Sequence, residues 1–176
     1  RKGITEYQLQ GVIEGFFAYA GTAGWSYPSI VGCGENATIL HYKTNSDVCG
    51  DDEVILIDAG AEYRGYASDI TRSWPISGTF TKAQKEIYEV VLNAQLAGID
   101  ACQVGNPYSA PHEAARRVMA EGLIRLGVIS QTVEEALDLE TGELKRWYMH
   151  NTSHWIGLDV HDVGVYKPGG EPRLLE

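Results

Sequence analysis

Positive charge is scarce in this chain: 14 Lys and Arg stand against 24 Asp and Glu, a formal net charge of −10 over 176 residues. A phosphate-backbone partner needs clustered cations, so this balance argues against nucleic acid as a partner. Long apolar runs are also missing. Nothing approaches the roughly 20 residues of a membrane-spanning helix, and the N-terminus carries no signal-peptide pattern. The expectation is a cytoplasmic protein with no membrane partner. Cysteine is sparse: Cys33, Cys49 and Cys102 are odd in number and form no CxxC pair. That spacing predicts free thiols in a reducing compartment, not a disulfide framework or a zinc ribbon. Low apolar content, the mark of disorder, is absent too, because 44% of residues are hydrophobic.

What is present reads as one domain spanning 1–176, a length within the usual range. Thr5 and Gln8 make a capping-box pattern. Leu9, Val12, Ile13, Phe16 and Phe17 then recur at helical spacing, with Gly21 as the stop. Residues 22–37, with their glycines, Pro28 and Asn36, read as a loop, and Thr38–Tyr42 as a short strand. Val54–Ala59 is a continuous apolar strand. It is joined to a second strand, Tyr66–Trp74, through the turn tetrad Glu62-Tyr63-Arg64-Gly65. Thr81 and Gln84 open a long amphipathic helix. A further helix runs from Ser109 to Leu126 with Gly127 as its stop, and Thr132 with Glu135 begins a shorter one. A last strand follows the His-rich segment. The order helix, strands, helices, strand points to an α+β fold with an antiparallel sheet.

Two signatures fail on their context. Gly32-Cys33-Gly34-Glu35-Asn36-Ala37 spells the dinucleotide pattern but is expected to follow a loop and precede a strand, the reverse of what that fingerprint requires. His112-Glu113 starts a zinc-protease pattern whose second His is replaced by Arg116. A constellation survives them. His150, His154 and His161 fall within twelve residues among Gly, Trp and Asp, and imidazole both binds metals and transfers protons near neutral pH. Asp58 and Asp69 stand on the two hairpin strands. Taken singly, each is an ordinary turn former or solvated strand residue. If the turn is centred on Glu62–Gly65, however, they face each other with Cβ atoms roughly 4.5–5.5 Å apart. Two carboxylates that close require a shared proton or a cation. Carboxylates holding one or two divalent metals, completed by an imidazole, make a hydrolytic centre.

The strings Leu56-Ile57-Asp58-Ala59-Gly60, Ser68-Asp69-Ile70-Thr71-Arg72 and Ser153-His154-Trp155-Ile156-Gly157-Leu158-Asp159-Val160-His161-Asp162-Val163-Gly164 resemble aminopeptidase P. These are the Xaa-Pro aminopeptidases of the pita-bread metallopeptidases, family M24. Tyr27 to Gly32 and Glu35 to Tyr42 resemble the same family, so the likeness runs along essentially the whole chain. The resemblance implies that Asp58, Asp69 and His154 are metal ligands of a dinuclear site holding two Mn²⁺, with Co²⁺ or Zn²⁺ as alternatives. It implies that His161 contacts substrate and supports the tetrahedral intermediate, and that His150 and His41 line the pocket. The implied substrate is a peptide with proline at its second position. The implied reaction is attack of a metal-bridging hydroxide on the carbonyl before that proline.

Asn151 departs from the family, which has Gly after the first His. The chain also begins at Arg1-Lys2 and stops at Leu174-Leu175-Glu176, so it reads as an excerpt. By resemblance, two further Glu ligands and the closing strands follow Glu176, an N-terminal domain precedes Arg1, and the pita-bread fold is C-terminally incomplete here. The expectation for these residues alone is weak metal binding and little or no peptidase activity. A homo-oligomer, a prolidase that cleaves Xaa-Pro dipeptides, and a non-catalytic pita-bread module remain open alternatives.

Overall fold

The computed structural model describes residues 3–176 and divides into two compact units. The first takes in the chain up to Thr81 together with Trp155–Val163. The second comprises Lys82–His154 and Gly164–Glu176. No described helix is long and apolar enough to cross a membrane.

The first unit opens with helix α1, Glu6–Tyr19. The Thr5 N–H donates to Gln8 Oε1 at 3.0 Å, the reach-back bond of the capping box. Gly21 follows with φ 81°, a left-handed residue that ends the helix as anticipated. Leu9, Ile13 and Phe17 pack inward against Val31, Cys33, Cys49, Ile55, Ile57 and Ala59. Val12 and Phe16, also expected in the apolar stripe, are 63% and 69% exposed. The core face of α1 is therefore narrower than its apolar pattern.

Five strands follow: β1 Gly24–Trp25, β2 Ile30–Cys33, β3 Val54–Ala59, β4 Ala61–Glu62 and β5 Ile70–Pro75. β3 lies between β2 and β5, antiparallel to both, while β1 pairs with β4. Alternation along β3 sends Ile55, Ile57 and Ala59 into the core and leaves Leu56 and Asp58 on the opposite face.

Several expectations are corrected in this unit. The 22–37 loop contains β1 and the wholly buried β2. The predicted strand Thr38–Tyr42 is instead the end of a 3₁₀ turn, Gly34–Thr38, followed by a tight turn. The dinucleotide-like hexapeptide thus does follow a strand. It still opens no α-helix, and its strand belongs to an antiparallel sheet, so the βαβ context is missing. The second hairpin strand starts at Ile70 rather than Tyr66.

The hairpin turn is Tyr63-Arg64-Gly65-Tyr66, one residue later than expected. Tyr63 and Tyr66 exchange N–H···O bonds of 2.9 and 3.1 Å. Arg64 and Gly65 have φ of 53° and 85°. A two-residue hairpin loop of type I′ needs positive φ at both central positions, and so draws the glycine inside the turn instead of to its end. The expected direct opposition of Asp58 and Asp69 is corrected accordingly: Asp58 faces Thr71.

Cys33 and Cys49 form a disulfide, with Cα atoms 5.4 Å apart, and Cys102 is free and exposed. The expectation of three free thiols is overturned, and with it the thiol argument for a reducing compartment. Sixteen residues separate the pair in sequence, and only the packing of β2 beside the 49 region brings them together. Replacing both cysteines by Ala is expected to lower stability by about 3 kcal/mol, the chain-entropy effect for a loop of this size. The measurement is the unfolding free energy extrapolated from urea curves, whose slope should rise as loss of the cross-link expands the unfolded chain.

In the second unit, α2 Lys82–Asp100 and α3 Ala110–Arg125 match the expected long helices. Gly122 on α3 is a close-approach site, since a Cβ there would lie 2.4 Å from Val90 Cγ1 of α2. α4 Val133–Leu137 carries the anticipated capping box, with the Thr132 N–H donating to Glu135 Oε2 at 2.8 Å. α5 Leu144–Trp147 was not anticipated; its Leu144 is buried with Ala120, Leu123, Ile129 and Ala136. The expected final strand is also corrected. After a 3₁₀ turn at Pro168–Gly170, an isolated bridge joins Pro107 and Leu174.

Candidate metal and peptide site

The site face of the hairpin is built around an unavoidable close approach. A Cβ at position 60 would lie 1.6 Å from the Ser68 carbonyl oxygen, so only glycine lets the two strands meet there. The Ser68 hydroxyl donates to the Ala61 carbonyl and accepts from the Ala61 N–H, each at 2.9 Å. Ser26 Oγ donates to the Ser68 carbonyl at 2.7 Å. Asp58 on β3 and Asp69, immediately before β5, flank this junction. A register displaced by two residues keeps every side chain on its face, because alternation has period two. The convergence of the two aspartates therefore survives the corrected pairing.

Tyr27 makes that convergence explicit. Its hydroxyl donates to Asp58 Oδ1 and also lies 2.8 Å from Asp69 Oδ1. Burial raises the Asp58 carboxyl above the ordinary carboxylate range and the nearby Asp69 adds to the shift, against the hydrogen bonds from Tyr27 and Thr71. Burial, with both carboxylates, drives the Tyr27 phenol far above its usual value, so it remains a donor. Tyr27 thus shields two like charges that a single O–H cannot neutralise. Tyr27→Phe is expected to destabilise the metal-free protein by about 1.5 kcal/mol, the low end for a hydrogen bond to a charged group. Urea denaturation reads this directly.

The histidines are distributed between the units. His41 lies in the first, exposed, at φ 53°. His161 is exposed in the Trp155–Val163 segment of the same unit. That segment has no regular secondary structure. It is held by the Ala67 N–H donating to the Gly157 carbonyl at 2.8 Å, two residues before Asp69. Asp162 folds it back on itself, accepting from the Leu158 N–H at 3.1 Å and the Val163 N–H at 2.8 Å.

His150 and the half-buried His154 belong to the second unit. His150 is exposed, with Nδ1 2.9 Å from the Asn151 carbonyl. Between them, Thr152 Oγ1 lies 2.8 Å from His112 Nδ1 and is bonded to the Tyr148 hydroxyl. Burial lowers the His112 pKa below that of a free imidazole, with Arg116 adding to the shift.

Among the described residues, no group of three His, Cys, Asp and Glu side chains is arranged to hold a metal ion. The structure brings Asp58 and Asp69 to one hydroxyl. Two hard oxygen donors side by side fit a divalent cation. Tyr27 is the site residue that sequence spacing missed. It lies 31 and 42 residues from its partners, and it appeared only inside a longer motif.

The profile of metallopeptidase family M24 matches residues 1–176. The Xaa-Pro aminopeptidase of Escherichia coli K12 is 43% identical over 176 residues, which is 100% of this chain and 39% of that protein. The structure of Pseudomonas aeruginosa aminopeptidase PepP superposes with a TM-score of 0.92 at 44% identity, again over 100% of this chain and 39% of that one. A variant of Escherichia coli aminopeptidase P in complex with substrate superposes at 0.90 with 42% identity and the same coverage. The chain therefore spans about two fifths of the length of these relatives and carries that part of their α+β, pita-bread fold. It belongs to metallopeptidase family M24.

Proposed function

We infer that the full-length protein is a metal-dependent Xaa-Pro aminopeptidase, releasing the N-terminal residue that precedes proline. The observation that carries this reading is the pair Asp58 and Asp69 meeting at the Tyr27 hydroxyl. Asp58 and Asp69 would hold the metal through oxygen, joined by His154 through an imidazole nitrogen. A donor set dominated by oxygen favours Mn²⁺ over softer-ligand metals, with Co²⁺ or Zn²⁺ also accommodated. When bound, the divalent pair supplies Lewis-acid polarisation and an activated water. The chain's own side chains do the rest. Tyr27 keeps the two carboxylates in one orientation as a permanent donor. His161 and His150 offer protons or hydrogen bonds to the peptide, and His41 lines the site, each with an imidazole suited to neutral pH.

The test is incubation of the full-length protein with Mn²⁺ and two substrates, an Xaa-Pro dipeptide and a longer Xaa-Pro peptide. Release of the first residue from the longer peptide is the expected result. Cleavage confined to the dipeptide would make it a prolidase. No bound divalent cation after Mn²⁺ loading, with no cleavage, would make it a binding module.

A further inference from the structure

Glu6 has no role in the site as described, yet its carboxylate is entirely buried, with 0% exposure, at the first position of α1. Burying an ionised group costs several kcal/mol unless donors surround it. Here four do. Oε1 accepts from the Cys33 N–H at 2.8 Å and from Asn36 Nδ2 at 3.0 Å. Oε2 accepts from the Tyr42 hydroxyl at 2.9 Å and the Asp47 N–H at 3.0 Å. Asn36 Nδ2 also lies 3.0 Å from the Tyr42 hydroxyl and 2.8 Å from Asp47 Oδ2. Burial and Glu6 raise the Tyr42 phenol, which therefore stays a donor.

These partners have one thing in common. Asn36 lies five residues before His41 and Tyr42 directly after it, so Glu6 grips both flanks of the turn that presents His41. That turn is closed by the Tyr42 N–H on the Ile39 carbonyl at 3.3 Å. His41 occupies its third position at φ 53°. A left-handed residue other than glycine is strained and persists only where its surroundings enforce it. A helix needing only an anchor would be served by an apolar side chain at lower desolvation cost. A four-donor carboxylate gives direction as well as attachment.

We propose that Glu6 is a positioning residue for His41, clamping Asn36 and Tyr42 so that the intervening turn holds the imidazole in one place. The catalytic consequence rests on the aminopeptidase reading, in which His41 lines the site. The geometric part does not.

The experiment uses the full-length Mn²⁺ protein and an Xaa-Pro tripeptide, with Glu6→Gln and Tyr42→Phe each made alone and together with His41→Ala. Glu6→Gln is expected to lower kcat roughly ten- to hundredfold, the scale of an ångström of misplacement, and Tyr42→Phe about three- to tenfold. Once His41 is Ala, both effects should shrink to within about twofold, because they act through that side chain. Equal losses in both backgrounds would mean a merely structural Glu6 and overturn the proposal.

A second readout needs neither turnover nor metal. In the metal-free protein, the His41 ring ¹H–¹³C signal, assigned by its loss in His41→Ala, should shift or broaden in Glu6→Gln and Tyr42→Phe while that of His161 stays put. An unmoved His41 signal would overturn the proposal. A wild-type protein that cleaves no Xaa-Pro peptide would defeat the functional reading alone, and the ring signal would then decide the link between Glu6 and His41. Should Glu6→Gln not fold, Tyr42→Phe keeps the buried carboxylate and carries the same comparisons.

Discussion

Asp58→Asn is expected to lower kcat/KM of the full-length Mn²⁺ protein on an Xaa-Pro tripeptide by roughly a thousandfold, the rate equivalent of the several kcal/mol a metal's charge stabilisation supplies. Asn keeps a side-chain oxygen for the Tyr27 hydroxyl but loses the charge that attracts a divalent cation. Bound metal should fall in parallel, measured by elemental analysis after gel filtration. The same substitution should act in the opposite direction on the metal-free fold. Asp58 is a half-buried carboxylate made harder to ionise by its burial and by Asp69, so removing its charge relieves a repulsion. The metal-free Asn variant should therefore denature at a higher urea concentration than the wild type. Loss of activity with wild-type metal content would show that Asp58 is not a ligand.

The second large effect concerns Gly60. In Gly60→Ala the new methyl would lie 1.6 Å from the Ser68 carbonyl oxygen, 2.5 Å from the Ser68 carbonyl carbon and 2.8 Å from Ser26 Oγ. Two of these are backbone atoms that no rotamer change can clear, so the strands must separate. A loss of about 3 kcal/mol is expected, at the upper end of ordinary overpacking. Because Ser68 immediately precedes Asp69 and Gly60 follows Asp58 by two residues, the displacement should also lower metal occupancy. Gly65→Ala provides the contrast. Position 65 has φ +85° and meets only Leu158 Cδ2, at 3.9 Å. Its cost is conformational, roughly 1–2 kcal/mol, with metal binding intact. Equal destabilisation and equal metal loss in both variants would refute the close-approach argument.

Local order was legible from the chain in proportion to how local its causes were. Gln8 beside Thr5, Glu135 beside Thr132, and Gly21 and Gly127 at helix ends announced their helices because caps act within a turn of the backbone. The hairpin was legible as a hairpin, but its register was not. One residue's difference in where Gly65 sits within the turn moved the partner of Asp58 from Asp69 to Thr71. The aspartates still converged, since a two-residue displacement preserves the sheet face. β2 was hidden because Gly32 and Gly34 read as loop punctuation, whereas burial on all four residues made Ile30–Cys33 a strand.

The chain's own pattern determined the acidic character, the α+β class and the main helices, because composition and periodicity are properties of neighbouring residues, while the candidate ligands Asp58, Asp69 and His154 came from the resemblance to aminopeptidase P. Only tertiary structure decided that Tyr27 is shared by two aspartates, that Cys33 meets Cys49, and that a buried Glu6 braces the turn of His41. Each of these joins side chains 16 to 42 residues apart in the chain. No local preference encodes such a meeting. It follows from burying the apolar faces of α1 and β3 in one core, which brings the polar groups at their edges together.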